Sequence, residues 1–261
     1  MELYKIRDIV RENIGRDKLS KHMLDFAMEQ GLRAIEKTGN FYWMRAVKTW
    51  SAIVDQQGYF ITTSTSGGLN LPNFKDVRIL LVSDQTLSNP DWDEVFGPID
   101  MEEAGLEFAD TDTGMPVVYS MDEDTVTSDV TDPVGSTPVK ILLYPPKPDK
   151  TYSLRLHYYQ WTSLPSDVTT DNHEVLIRWP EALIYSATAA GIMAAMKDPQ
   201  LAQYWELKFN APNNPGNPGE LVRIKRYNQE RMMDSRVELR PVRGGLMNRR
   251  NRWRTNREIW I

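Results

Sequence analysis

The residues with the most evident chemistry stand at the end of the sequence, in "GGLMNRRNRWRTNREIWI" (residues 244–261). Residues 236–261 hold eight arginines, no lysine and two glutamates, Glu238 and Glu258, so the segment carries +6. The whole chain is −5, which leaves −11 for the first 235 residues. Guanidinium groups pair with phosphates and indole rings stack on bases, so this mixture suits nucleic acid. It suits protein equally well, because Trp and Arg are favoured anchors of protein–protein interfaces. The use of arginine without lysine favours carboxylate partners, which the planar guanidinium grips with two parallel bonds. A solvated tail is the ordinary alternative for any polar terminus.

In the docking reading, "SRVELRPVRGG" is extended, with Val237, Leu239 and Val242 as its apolar positions. Such a segment can add as a strand to a neighbouring sheet. Gly244 and Gly245 then form a hinge, beyond which Arg249, Arg250, Arg252, Trp253, Arg254, Arg257, Trp260 and Ile261 dock on a partner. The two tryptophans are the anchors. In the nucleic-acid reading the same arginines hold phosphates, although the acidic body repels a polyanion.

Other candidate chemistry is thin. The acidic stretch "ADTDTGMPVVYSMDEDTVTSDVTD" resembles a calcium loop only at its start. A loop beginning at Asp110 meets Gly114 where a ligand is needed and Met121 where a bidentate glutamate is needed. "STSGGLN" lacks the Lys-Ser/Thr and the following helix of a phosphate loop. His22, His157 and His173 fall in no metal-ligand spacing, and no GxSxG elbow occurs. With no cysteine there is neither a disulfide nor a thiolate site. Nothing calls for a cofactor, a metal or catalysis. No apolar run approaches the ~20 residues that span a bilayer, and the start lacks the segments of a signal peptide.

The elements that must position the tail follow from periodicity. Residues 2–14 predict an amphipathic helix through Leu3, Ile6, Ile9 or Val10, and Ile14. Residues 18–38 predict a second, through Leu24, Ala27, Met28, Gly31, Ala34 and Ile35, stopped near Gly39. From 41 to 161 the pattern shifts to short β-rich segments between turn residues, with strands expected at 46–54, 59–63, 77–83, 117–121, 140–144 and 152–159. Helix returns at Pro180, with a small-residue face of Leu183, Ala187, Ala190, Met193 and Ala194 that permits close packing. Asp198-Pro199 starts another helix, "APNNPGNPG" is a linker, and "ELVRIKRYNQERMM" is the last helix.

The expected class is therefore α+β. N- and C-terminal helices (1–40 and 171–233) form one bundle, an antiparallel β-sandwich or barrel (41–170) is inserted, and an extended basic arm (234–261) follows.

Three stretches together resemble the head-to-tail adaptor, or connector, proteins of tailed bacteriophages. They are the leading helices ending in "NFYWM", then "GLNLPNFKDVRILLV", and then "LLYPPKPDKTYSLRLHYYQWTSLPSD" followed by "IRWPEALIYSATAAGIMAAMKDPQLAQYWELKF". The likeness runs over roughly residues 18–233. Leu69 stands where the family often has tyrosine, the acidic region 84–138 is unusually long, and the arm lies outside the pattern. The resemblance implies a non-enzymatic virion protein at the capsid neck, assembled in the host cytoplasm. It further implies a dodecameric homo-oligomeric ring below the portal protein. That ring continues the channel for genomic DNA, without sequence-specific binding, and supports the tail or nozzle proteins. A stopper or tail-tube protein of the same virion is the nearest alternative. A carbohydrate-binding or capsid-decorating β-sandwich would leave the helices and arm unexplained.

Overall fold

The structure, a computed structural model, describes residues 2–15, 19–61, 69–71, 73–84, 91–123, 139–165, 173–210 and 219–238. Helix α5 (Pro180–Ala195) organises the bundle, because its many small residues let neighbours approach from several sides. Against it pack α1 (Leu3–Ile14), α2 (Lys21–Glu36), α4 (Glu174–Arg178), α6 (Pro199–Asn210) and α7 (Glu220–Glu238). The α1 stripe is Leu3, Ile6, Val10 and Ile14, all buried, and Ile9 packs at its margin. Ser20 caps α2 by accepting from the Met23 N–H at 3.3 Å, and α2 buries Leu32 where Ala34 was expected.

At the α2–α5 crossing the backbones nearly touch. A Cβ added to Gly31 would lie 2.7 Å from the Ala187 nitrogen, so only glycine fits. The Ser186 hydroxyl sits 2.8 Å from the Ala182 carbonyl and 3.1 Å from that of Gly31, which satisfies it inside the core. Of the small-residue face expected on α5, Leu183 and Ala187 are buried in the bundle, whereas Ala190 is half-buried and Met193 and Ala194 are exposed.

Between α2 and α4 comes one curled sheet of seven strands. In chain order these are β1 (Arg45–Ala52), β2 (Gly58–Phe60), β3 (Phe74–Ser83), β4 (Asp93–Ile99), β5 (Val118–Glu123), β6 (Val139–Tyr144) and β7 (Tyr152–Gln160). Their order across the sheet is β1-β7-β3-β4-β5-β6-β2. The inner row of β1 and β7 pairs Ala46 with Tyr158, Trp50 with Leu154 and Ala52 with Tyr152. Every strand contributes to one apolar cluster that includes Tyr59, Leu80, Val82, Val95, Tyr119, Ile141 and Leu154. Both edges therefore face the same interior, and the rings of Trp50 and Tyr59 lie 6.0 Å apart. Leu69, the departure from the family's tyrosine, is buried in this cluster.

The α+β class with an inserted sheet holds. One pairing departs from the antiparallel expectation, because β4 and β5 run parallel. Their register slips between Phe96 and Ile99, across Gly97-Pro98, where proline has no N–H to give to a ladder. Gly97 adopts φ +154 and lies against the Tyr119 carbonyl, a place closed to any side chain. The unforeseen helix α3 (Met101–Glu107) follows, capped by Asp100, which accepts from the Glu102 N–H at 2.8 Å. It buries Ala104 against Val118, Leu142 and Tyr144 on the sheet's other face.

A polar network joins the bundle to the sheet. Glu36, at the end of α2, is fully buried, and its carboxylate accepts from the Thr162 N–H and hydroxyl and from Arg33 at 3.3 Å. Lys75 of β3 donates to the carbonyls of Glu36 (2.5 Å) and Gly39 (2.6 Å), and its cation lies 4.7 Å from the Trp161 ring centre. His173 caps α4, its Nδ1 accepting from the Val175 N–H at 3.2 Å. The Nε2–H then donates to the Thr162 oxygen at 2.8 Å, and Thr162 passes its own proton toward Glu36. Burial pushes the Glu36 carboxyl up and the His173 imidazole down.

Candidate docking site at the root of the arm

Of the residues expected to dock, only Val237 lies among the described ones, and it sits in the backbone of α7. Helix takes in 234–238, which were expected to be extended. No glycine or proline occurs from Glu220 until Pro241, so nothing in the local chemistry ends the helix earlier. Leu239, Val242, Arg249, Arg250, Arg252, Trp253, Arg254, Arg257, Trp260 and Ile261 lie outside the described residues. What the structure does give is the root from which they extend.

The first turns of α7 are anchored by burial of Leu221 and Ile224 in the bundle core. Two turns on, Asn228 faces the chain between α2 and β1. Its Oδ1 accepts from the Tyr42 N–H at 3.0 Å, and its Nδ2 donates to the Asn40 carbonyl at 3.1 Å. One amide thus pairs with two backbone groups, as a neighbouring strand would, and this fixes both its own orientation and the helix position. These backbone groups flank Phe41, which is buried and stacked on Trp43 at 4.4 Å.

Aromatic rings and cations surround that contact. Tyr227 meets Tyr42 edge-on at 6.1 Å and Trp179 at 5.7 Å. Arg178 lies over Tyr227 at 5.3 Å, and Arg231 lies over both Tyr42 (5.1 Å) and Tyr227 (5.5 Å). Arg231 also donates from Nε to the Tyr227 oxygen at 3.0 Å. Glu174 receives the Tyr42 hydroxyl and an ion pair from Arg178. The Tyr42 phenol is pushed well above its ordinary value, first by burial and then by its bond to the Glu174 carboxylate. A charged phenolate is thereby excluded, and the site works as a neutral donor between carboxylate and ring.

These contacts hold helix α7 in place. His22 is exposed on α2, His157 lies in β7 and His173 caps α4. Among the described residues no group of three potential metal ligands converges, and no helix is long and apolar enough to cross a membrane. Sequence reasoning missed Asn228, Tyr227 and Trp179 as a unit. Their types signal contact, but their partners stand far away in the chain, 188 residues in the case of Asn228 and Asn40.

The fold is thus a helical bundle that carries an inserted curled sheet, with its last helix held against the chain between α2 and β1. The family model for the SU10 adaptor protein matches residues 3–215, most of the chain, and the chain belongs to the SU10 adaptor protein family. It is thus a structural adaptor protein of a phage virion. No curated protein matches it. The matched residues end before α7, so the placement of that helix rests on its own contacts.

Proposed function

We propose that the protein is a head-to-tail adaptor whose copies form a dodecameric ring below the portal. The ring continues the DNA channel and offers the platform on which tail or nozzle proteins assemble, while the arm of each copy docks on the portal protein. The observation that carries this reading is the family match over residues 3–215. The pinned α7 supports the role of the arm, because a fixed root lowers the ordering cost of docking. The net charge of −11 on the first 235 residues supports a channel wall to which DNA does not adhere.

Deleting residues 246–261 tests the docking role directly. Ring attachment to the portal should be lost while DNA affinity is unchanged. Retained attachment would sink this role. Should the arm instead hold DNA, affinity of the intact chain would fall with salt at a slope of about −0.9 per neutralised phosphate. Images of the purified protein with its portal give the copy number.

A further inference from the structure

Two consecutive residues of the chain hold two different joints. His173 bonds the segment leaving β7, its Nε2–H donating to the Thr162 oxygen at 2.8 Å, and Thr162 binds Glu36 of α2 through both its N–H and its hydroxyl. Glu174, the next residue, accepts from the Tyr42 hydroxyl, and Tyr42 gives its N–H to Asn228 of α7 at 3.0 Å. The first joint sets the sheet on the bundle. The second sets the root of the arm.

Helix α4, which carries the pair, spans five residues. A turn of that length has little stability of its own, so it stands by its tertiary contacts. These come from both joints and from the core. The His173 Nδ1 caps the turn at the Val175 N–H, and Val175 and Leu176 are buried in the bundle. Arg178, at the end of the turn, pairs with Glu174 and lies over Tyr227 at 5.3 Å. When the turn opens, the cap at Val175 and the grip on Tyr42 go together.

We propose that the His173–Glu174 turn couples the two joints: loosening Thr162 at the sheet loosens the root of α7, and fixing α7 tightens the sheet on the bundle. The turn is the two-state element, closed with both bonds made or open with neither. Because the coupling is between equilibria, it acts in both directions. It belongs to the free chain and is independent of what residues 239–261 bind. A partner that engages the arm thereby stiffens the sheet as well, and one that strains the sheet slackens the arm.

Amide exchange of the full-length protein reads both joints. Tyr42, whose N–H binds Asn228, reports the root, and Thr162, whose N–H binds Glu36, reports the sheet. Each is taken relative to Ala187 of α5, buried in the centre of the bundle, which reports opening of the whole. Thr162→Val removes the oxygen to which His173 donates. Relative exchange at Tyr42 should then be faster by about fivefold or more, the low end of ordinary coupling between sites. It should be unchanged in T162S, which keeps the hydroxyl. Asn228→Ala should speed Thr162 by a similar factor. The chain between α2 and β1 is a second route from Glu36 to Tyr42, and Glu174→Ala separates the two. With Glu174 gone the turn no longer holds Tyr42, so both effects should vanish. No relative change at Tyr42 in T162V, or at Thr162 in N228A, overturns the proposal. So does an effect of T162V at Tyr42 that persists in the E174A background. Should T162V not fold, N228A against N228A/E174A decides alone. Portal attachment does not enter these measurements, so the docking reading stands or falls separately.

Discussion

Thr162 gives the Glu36 carboxylate two hydrogen bonds, one from its backbone N–H and one from its hydroxyl, across 126 residues of sequence. That pair stitches the end of α2 to the segment leaving β7, and so fixes the bundle on the sheet. Thr162→Val keeps the shape and removes the hydroxyl, leaving a buried carboxylate short of a donor. A loss of about 1–3 kcal/mol is expected in chemical denaturation.

Because burial holds the Glu36 carboxyl above its ordinary 4.5, the native state keeps that proton more tightly than the unfolded chain. The associated stability is present below pH 4.5 and is lost as pH rises through the raised pKa. Glu36→Gln cannot titrate. Its stability should gain on that of the wild type as pH rises through this window, measured as the difference in denaturation midpoints. A difference independent of pH would contradict the assignment.

His173 has the opposite sign. Burial lowers its pKa from 6.5, so stability is present above pH 6.5 and is lost as pH falls through the lowered value. Protonation places a proton on Nδ1 against the Val175 N–H and opens the cap of α4. His173→Asn keeps a capping acceptor without titrating. Thermal midpoints of this variant should lack the acid-side loss.

Asn228→Ala leaves the Tyr42 N–H and the Asn40 carbonyl without their side-chain partner. The expected cost is about 1–2 kcal/mol. A local cost of that size speeds amide exchange at Tyr42 about tenfold. Unchanged exchange there would show that α7 is held by its rings and its buried Leu221 and Ile224 without help from Asn228.

Gly31→Ala drives a methyl group into the Ala187 backbone, where no flexible side chain can give way. Overpacking of this kind costs about 1–3 kcal/mol. It should appear as a lowered melting temperature with the secondary structure retained.

The elements legible in the sequence were those with a long apolar period and a partner of ordinary geometry. Leu3, Ile6, Val10 and Ile14 mark α1 unambiguously, and Pro180 marks the start of α5. Strands β1, β3 and β7 could be read because their inner rows alternate with polar residues. Strand β4 could not, since Gly97-Pro98 interrupts the alternation and its only buried residue in the middle is Val95. Helix α3 hid for a related reason: seven residues with a single buried alanine leave no stripe to detect. The chemistry of the arm was plain from composition, whereas its root was not. Asn228 is a common surface residue until the fold brings the 40–42 backbone to it.

The placement of α5 also sets the order in which the molecule can be made. Ser186 meets Gly31 across 155 residues of chain, and the stripes of α1 and α2 close largely on α5. At about 5–20 residues per second of synthesis, the two leading helices wait roughly 8–30 s outside the ribosome before their cover emerges. In that interval their leucines, isoleucines and methionines are bare. The chain can therefore complete its bundle only late in its own translation, once α5 has emerged.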